Sequence, residues 1–336
     1  MLATASEIGG RRPVAHRETR RILRTRMSTL SEPLAVPWSR LTSLLLDYAE
    51  LTKLRVTSLI VMTAWCGYFF GSRQVGNSCW NLGLVHALLG IGLVSSGTAA
   101  LNEVMERDTD RRMRRTALRP LPAGRMSMFH GALAGAILTV GGAIYLSLAT
   151  NALTGVLAFL TSAVYLCAYT PLKQVSPLCT FVGAFPGAMP GVLGWTAVSG
   201  RVDRGALVLF AILFLWQFPH FFSIAWLYRD DYAAGGVRML PVVQPDGRTT
   251  ALRILVYSLV LIPVSLLPAF TGMAGRAYLV GAPILGIGLL YFGARLSTLK
   301  LPLASAQSRR RARQLLQATI VYLPILFVLM MSNSRR

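Results

Sequence analysis

Apolar residues fall in nine runs along the chain, at about 55–72, 82–104, 129–148, 151–170, 177–198, 205–227, 251–270, 277–295 and 317–332. Each is close to the roughly 20 residues that a helix needs to cross the hydrocarbon core of a bilayer. Several contain Gly or Pro, which spanning helices accept when neighbours satisfy the freed backbone groups. The pattern predicts an all-α, polytopic membrane bundle of about nine helices. Composition agrees, with 54% hydrophobic and 14% charged residues in 336.

The polar residues fill the gaps unevenly. With an internal N-terminus, the inside segments 1–55, 105–128, 171–176, 228–253 and 295–316 hold 28 of the 34 Lys and Arg. This is the positive-inside asymmetry of a membrane protein, so the net charge of +21 does not point to nucleic acid. It places the N-terminus in the cytoplasm, in a bacterial inner membrane or, alternatively, a mitochondrial one. Residues 1–46 are Arg-rich, with "GGRRPVAHRETRRILRTR" at 9–26, and lack the apolar region of a signal peptide. They are expected to form a disordered basic cytoplasmic tail that leans on anionic lipid, leaving 47–336 as one intramembrane domain. Cys66, Cys79, Cys167 and Cys179 show no CxxC spacing and mostly lie in the apolar runs, as buried structural thiols do.

The acids follow the same side, all but Asp203. Acids carry little topological weight, so their placement asks for a functional reason. The densest stretch is "NEVMERDTDRRMRRT", 102–116, where the second run ends. On a helix, Asn102, Glu106 and Asp110 recur every four residues and line one stripe. Asp108 falls roughly on the other side of that stripe, although the helix could end before it. Stacked oxygen donors make a hard-cation site, and Mg²⁺ is usually shared between a few carboxylates and substrate phosphates. Arg111, Arg112, Arg114, Arg115 and Arg119 follow at once, and arginine matches phosphate geometry through its planar fork. Carboxylates, Mg²⁺ and arginine together describe a grip on a diphosphate.

A second acidic stretch, "YRDDYAAGGVRMLP" at 228–241, lies on the same side four spans later. It shares a distal "LP" with the first, 119–122 reading "RPLP" and 238–241 "RMLP", a faint internal repeat. Asp230 and Asp231 suggest a second cation opposite the first. Lys173, the single base in its loop, and Lys53 at the mouth of the first span could reach a phosphate. Tyr169 and Arg229, from the same two segments, join the candidate substrate-binding residues. His220 is a lone imidazole within the sixth span, with Gln217 one turn away; His86, in the second span, is its rival.

The stretch "NEVMERDTDRRMRRTALRPLPAG" resembles the first Asp-rich motif of the UbiA superfamily of intramembrane prenyltransferases. With its "RDxDRxMxRTxxRPLPxG" form it is most similar to the protoheme IX farnesyltransferase branch. "LTKLRV", "YTPLK", "WQFPHFFSIAW" and "YRDDYAAGGVRMLPVV" are similar to that branch in the same order. The resemblance implies a nine-helix fold and Mg²⁺-dependent transfer of farnesyl from farnesyl diphosphate to a vinyl group of haem B, with addition of water to give haem O. It assigns Asn102, Glu106 and Asp110 to the first metal motif and Asp231 to the second. A haem acceptor gives His220 a use as iron ligand or propionate partner. Protein partners implied are haem A synthase or oxidase assembly proteins. The chain departs from the pattern at Leu227 and Gly235, where many superfamily members complete a DxxxD, at Leu54 in place of Pro, and at Glu106 in place of Asp. Two alternatives carry different expectations: a related enzyme with a quinone-precursor or chlorophyll-type acceptor, and a transporter of anionic substrates. A transporter should carry its charges near the bilayer midplane, whereas here they gather at one edge.

Overall fold

A computed structural model describes residues 37–298 and 303–334. Most of the expected basic tail, residues 1–36, lies outside the described residues. Residues 47–336 form one compact unit.

A first helix, α1 (Pro37–Leu51), precedes the spans. Among the described residues nine helical segments are long and apolar enough to cross a membrane, and each matches one apolar run of the sequence. They are α2 (Leu54–Gln74), α3 (Leu82–Arg112), α4 (Met128–Ala149), a composite of α5 (Ala152–Ala163), a π-helix (Val164–Tyr169) and α6 (Thr170–Val175), then α7 (Cys179–Ser199) and α8 (Arg204–Leu227). Two short helices, α9 (Arg229–Ala234) and α10 (Leu240–Val243), lead to α11 (Arg248–Val264), which α12 (Leu267–Phe270) prolongs. The bundle ends with α13 (Arg276–Ser297) and α14 (Ala306–Ser332). Side-chain caps start five of these helices. Asn81, Ser127, Asn151, Asp203 and Ser305 each accept from a backbone N–H of the first turn that would otherwise lack a partner.

The helices pack as two rings. One runs α2, α3, α4, α5, α7 and back to α2; the other runs α8, α11, α13, α14 and back to α8, with α7 against α8 joining them. Close approach of α2 and α7 depends on missing side chains. A Cβ at Gly67 would stand 1.9 Å from the Gly191 carbonyl oxygen, and one at Gly194 would stand 1.8 Å from that of Ala64. Backbones meeting this closely gain dispersion contact where lipid supplies no hydrophobic drive. Phe129, Ile137, Leu148, Val280 and Ile284 point outward, as lipid-facing residues must. Cys66 and Cys179 are buried as expected, but Cys167 is exposed, on the outward side of the π-helix.

Two local features position the site. Helix α3 runs 31 residues, eight past the end of its apolar run, because 105–112 contains neither Gly nor Pro and ends only at the extended Met113. Asp108 and Asp110 are therefore helical. Lys53, between α1 and α2, is the sole non-glycine with positive φ among the described residues, at φ 48° and ψ 50°. A left-handed lysine is strained by about 1 kcal/mol, and no Gly, Asn or Asp marks the position in the sequence. Leu54 then starts α2, the position where Pro is accommodated without loss, so leucine in its place leaves the helix start intact.

Candidate active site

Asn102, Glu106 and Asp110 do form one stripe on α3, and each meets a cation from a different part of the chain. Lys53 Nζ donates to Asn102 Oδ1 at 2.7 Å. Lys173 Nζ, on α6, pairs with Glu106 Oε1 at 2.7 Å. Arg119, in the loop after α3, pairs with Asp110 Oδ2 at 2.7 Å. Asp110 is 1% exposed and Arg119 20%, so this contact is far less screened than a surface pair.

Helix α6 is laid along α3 by three rungs. Asn102 Nδ2 donates to Thr170 Oγ1 at 3.1 Å, Lys173 reaches Glu106, and Gln174 Nε2 donates to Thr109 Oγ1 at 2.8 Å. Residue numbers rise together on both sides, so the two segments run parallel. The π-helix just before α6 sets this register. Pro171 has no N–H to give and its ring crowds the preceding turn, while Thr170 bonds through both N–H and hydroxyl to the Tyr165 carbonyl. Wide turns of this kind often mark functional positions. It brings the Tyr165 and Tyr169 rings to 4.9 Å, tilted by 57°, with the Lys173 ammonium 4.4 Å from the Tyr169 ring centroid. Tyr169 in turn fills the space left by Gly183.

Glu103 is a residue that the stripe argument overlooked. It is fully buried beside Asn102; its Oε1 accepts from the Leu121 N–H at 3.4 Å and its Oε2 has no partner among the described residues. It pins the loop that carries Arg119. A carboxylate inside an apolar run was the available signal.

The electrostatics follow from crowding. Burial, with Arg119 and Lys173 nearby, lowers the Lys53 ammonium to about 8 against the partial opposition of Glu106 and Asp110. Burial raises the Tyr232 phenol, opposed by the cations Arg115, Lys173 and Arg119.

Helix α9 separates the second acidic pair from the stripe. It presents Gly235, at its end, and Tyr232 toward the α3 terminus: a Cβ on Gly235 would lie 2.9 Å from the Met113 side chain and 3.3 Å from Thr109. A side chain completing DxxxD at 235 would have to displace Met113. Arg115 lies over Tyr228 and Tyr232 at 5.1 and 5.8 Å. Asp230 and Asp231 instead line a cleft of about 720 Å³ with Arg112, Arg114, Arg309 and Arg313. Asp230 is exposed and pairs with Arg229 at 3.0 Å and Arg309 at 3.1 Å. Among the described residues no three or more His, Cys, Asp or Glu side chains converge. The donors on the stripe are all oxygen and suit a hard cation, but two carboxylates and an amide need phosphate oxygens to complete its shell.

The remaining sequence-derived residues lie elsewhere. Asp108 is exposed on another face of α3, where its carbonyl accepts from Arg112. Arg111 donates to the Pro122 carbonyl. Gln217 is buried, clasping α7 through the Ala184 carbonyl over Gly187. His220 hydrogen-bonds through Nδ1 to Thr319 Oγ1 of α14 at 2.9 Å and stacks on Trp216, whose indole donates to the Thr319 carbonyl. His86 is bonded to the Tyr145 hydroxyl at 2.6 Å, 20 residues or about 30 Å along α3 from Glu106.

Helical membrane proteins of known structure share the fold: a digeranylgeranylglyceryl phosphate synthase, at 18% identity over 86% of this chain and 98% of its own, with a TM-score of 0.70, and a UbiA homologue from Archaeoglobus fulgidus bound to DMAPP and Mg²⁺, at 16% identity over 84% of this chain and 99% of its own, with a TM-score of 0.56. Relatives named protoheme IX farnesyltransferase are far more similar in sequence. That of Koribacter versatilis is 57% identical over 91% of this chain and 98% of its own, and that of Solibacter usitatus 48% identical over 85% and 97%. The pattern of the UbiA prenyltransferase family matches residues 60–331, and the chain belongs to that family.

Proposed function

We propose that this prenyltransferase transfers farnesyl from farnesyl diphosphate to a vinyl group of haem B, with addition of water, giving haem O. The observation that carries the reading is the stripe of Asn102, Glu106 and Asp110 with Lys53, Lys173 and Arg119 arrayed along it. The names of the relatives at 57% and 48% identity support the acceptor.

Asn102, Glu106 and Asp110 would hold Mg²⁺ together with the diphosphate oxygens. When bound, the ion neutralises charge on the leaving diphosphate as the allylic C–O bond breaks. Lys53, Lys173 and Arg119 turn toward the same phosphates and stabilise the negative charge that develops there. Tyr169 and Tyr165 present ring faces beside Lys173, where they favour positive charge at the allylic carbon. The vinyl terminus supplies the electron pair for the new C–C bond. Water adds its oxygen to the other vinyl carbon and releases a proton. The surrounding helices keep water off the allylic carbon until that bond forms. His220, tied by Nδ1 to Thr319, keeps Nε2 for the acceptor.

The charged edge that holds the stripe faces the cytoplasm in this reading, as the charge asymmetry demands. A cysteine in place of Gly124 should then react with an impermeant thiol reagent only after that face is opened. Purified protein incubated with haem B and farnesyl diphosphate should give a product heavier by one farnesyl and one hydroxyl group, and chelation of Mg²⁺ should stop it. With a quinone precursor supplied alongside, its prenylation with haem B untouched would overturn the reading.

A further inference from the structure

None of the three cations on the stripe lines the arginine cleft, and its construction points to a second anionic group. Its walls come from the end of α3 and the loop beyond (Arg112, Arg114), from α9, and from the first turns of α14 (Arg309, Arg313). Four arginines against two aspartates leave it with two uncompensated positive charges. Among the described residues neither Arg114 nor Arg313 has an ion pair or a hydrogen bond, and Arg112 bonds only to the Asp108 carbonyl. Cations in the first turns of a helix oppose its dipole, so Arg309 and Arg313 gain nothing locally from their position. Positive-inside placement explains their sign but not their convergence on one cavity.

Below the arginines the cleft is lined by Leu227, Leu316, Gln317 and Ile320. Leu316, Gln317 and Ile320 follow Arg309 and Arg313 down one face of α14. They flank Thr319, which holds His220 and Trp216. On α8, Leu227 lies two turns from His220 on the same stripe, about 10 Å away. The cleft is thus charged at the edge and mostly apolar below, and deeper in the same α8–α14 seam an imidazole lies against an indole.

We propose that this cleft binds the two propionates of the haem acceptor, with the tetrapyrrole lying down the α8–α14 seam toward His220. The inference rests on the haem reading above and specifies where that acceptor is held. An apolar plane bearing two adjacent carboxylates matches a seam with two excess positive charges at one end, and guanidinium groups bind carboxylates bidentately. Asp230 keeps Arg309 and Arg229 in place.

The test uses full-length protein in zwitterionic nanodiscs, titrated by absorbance with haem B and with its dimethyl ester. The wild type is compared with Arg313→Gln and with Arg309→Gln combined with Arg313→Gln, each checked for an unchanged melting temperature and for diphosphate binding by calorimetry. The wild type should bind haem B at least about tenfold more tightly than the ester, the scale of a lost charge-assisted hydrogen bond. The double variant should erase that preference and leave the ester and farnesyl diphosphate unaffected. If the wild type makes haem O but all proteins bind haem and ester alike, the cleft assignment fails and the acceptor reading stands. Failure of the wild type to bind or convert haem B would sink both. In a parallel set of nanodiscs doped with anionic phospholipid, loss of its binding in the double variant with haem affinity intact would overturn the proposal in favour of a lipid headgroup.

Discussion

The two acidic segments, 102–124 and 228–243, look like copies of one device and are built differently. The first sets its acids on a long continuous helix, where Asp110 is buried against Arg119 and Glu106 against Lys173. The second sets Asp230 and Asp231 on a six-residue helix at the mouth of an open cleft. What the segments share is the anchor: Leu121 and Leu240 are 1% and 3% exposed, returning each loop to the bundle. Burial therefore separates charges that must be held in one geometry from charges that can move.

The largest effect expected from this difference is at Asp110. Asp110→Asn keeps the volume but removes the charge, and turnover should fall at least about a hundredfold, the scale of one lost electrostatic stabiliser. Steady-state kinetics on folded protein check this; activity within a few-fold of wild type would place Asp110 with the mobile acids. Next comes the Lys173–Glu106 pair, whose side chains are 12% and 13% exposed. Lys173→Met strands a carboxylate and should cost about 2 kcal/mol, below the range for fully buried pairs because some water reaches it. Thermal unfolding in detergent measures it, and Glu106→Gln in the same background should restore part of the loss.

Lys53 gives a pH test. Its folded-state value of about 8 lies below that of an ordinary lysine. Below pH 8 both folded and unfolded chains carry the proton, and the unfavourable burial is fully present. Between about 8 and 10.5 the unfolded chain holds more protons, so this residue's contribution to stability rises with pH. Diphosphate binding should move the other way. At pH 9 roughly a tenth of the ammonium remains, so affinity should drop by up to about tenfold, and Lys53→Arg should remove that limb. Calorimetry from pH 7 to 9.5 decides it.

Two smaller effects sharpen the contrast. Gly235→Ala brings a methyl to 2.9 Å from the flexible Met113 side chain and should cost about 1 kcal/mol, read as a lower melting temperature. Asp230→Asn should change stability by less than about 0.5 kcal/mol, as for an exposed pair. A larger loss would mean that the cleft acids are as firmly held as the stripe.

The spans were legible because the bilayer leaves few solutions: about 20 apolar residues must become a helix, and each expected run did. The stripe was legible because helical spacing fixes it whatever packs against it. Its partners were not. That Lys53 would reach Asn102 depends on a left-handed turn with no local sequence signal, and that Lys173 would reach Glu106 depends on a π-helix whose one local sign is Pro171. Glu103 was missed because its role comes from a loop folding back onto it. The position of Asp231 across α9 from the stripe follows from the tight packing of Gly235, a tertiary contact.

Because Asn102, Glu106 and Asp110 share one helix, the geometry of the site is written as a count of residues. Substitution leaves that count alone, but one residue inserted between Glu106 and Asp110 turns everything beyond it by about 100°. Asp110 would leave Arg119, while Lys173 would still find Glu106 on the unchanged half. An extra residue in the turn at 244–247, after the second acidic segment, would be absorbed at the exposed residues Gln244, Pro245 and Asp246. Length variation among descendants of this chain should therefore be excluded from 102–110 and admitted in that turn, even where both segments tolerate changes of residue.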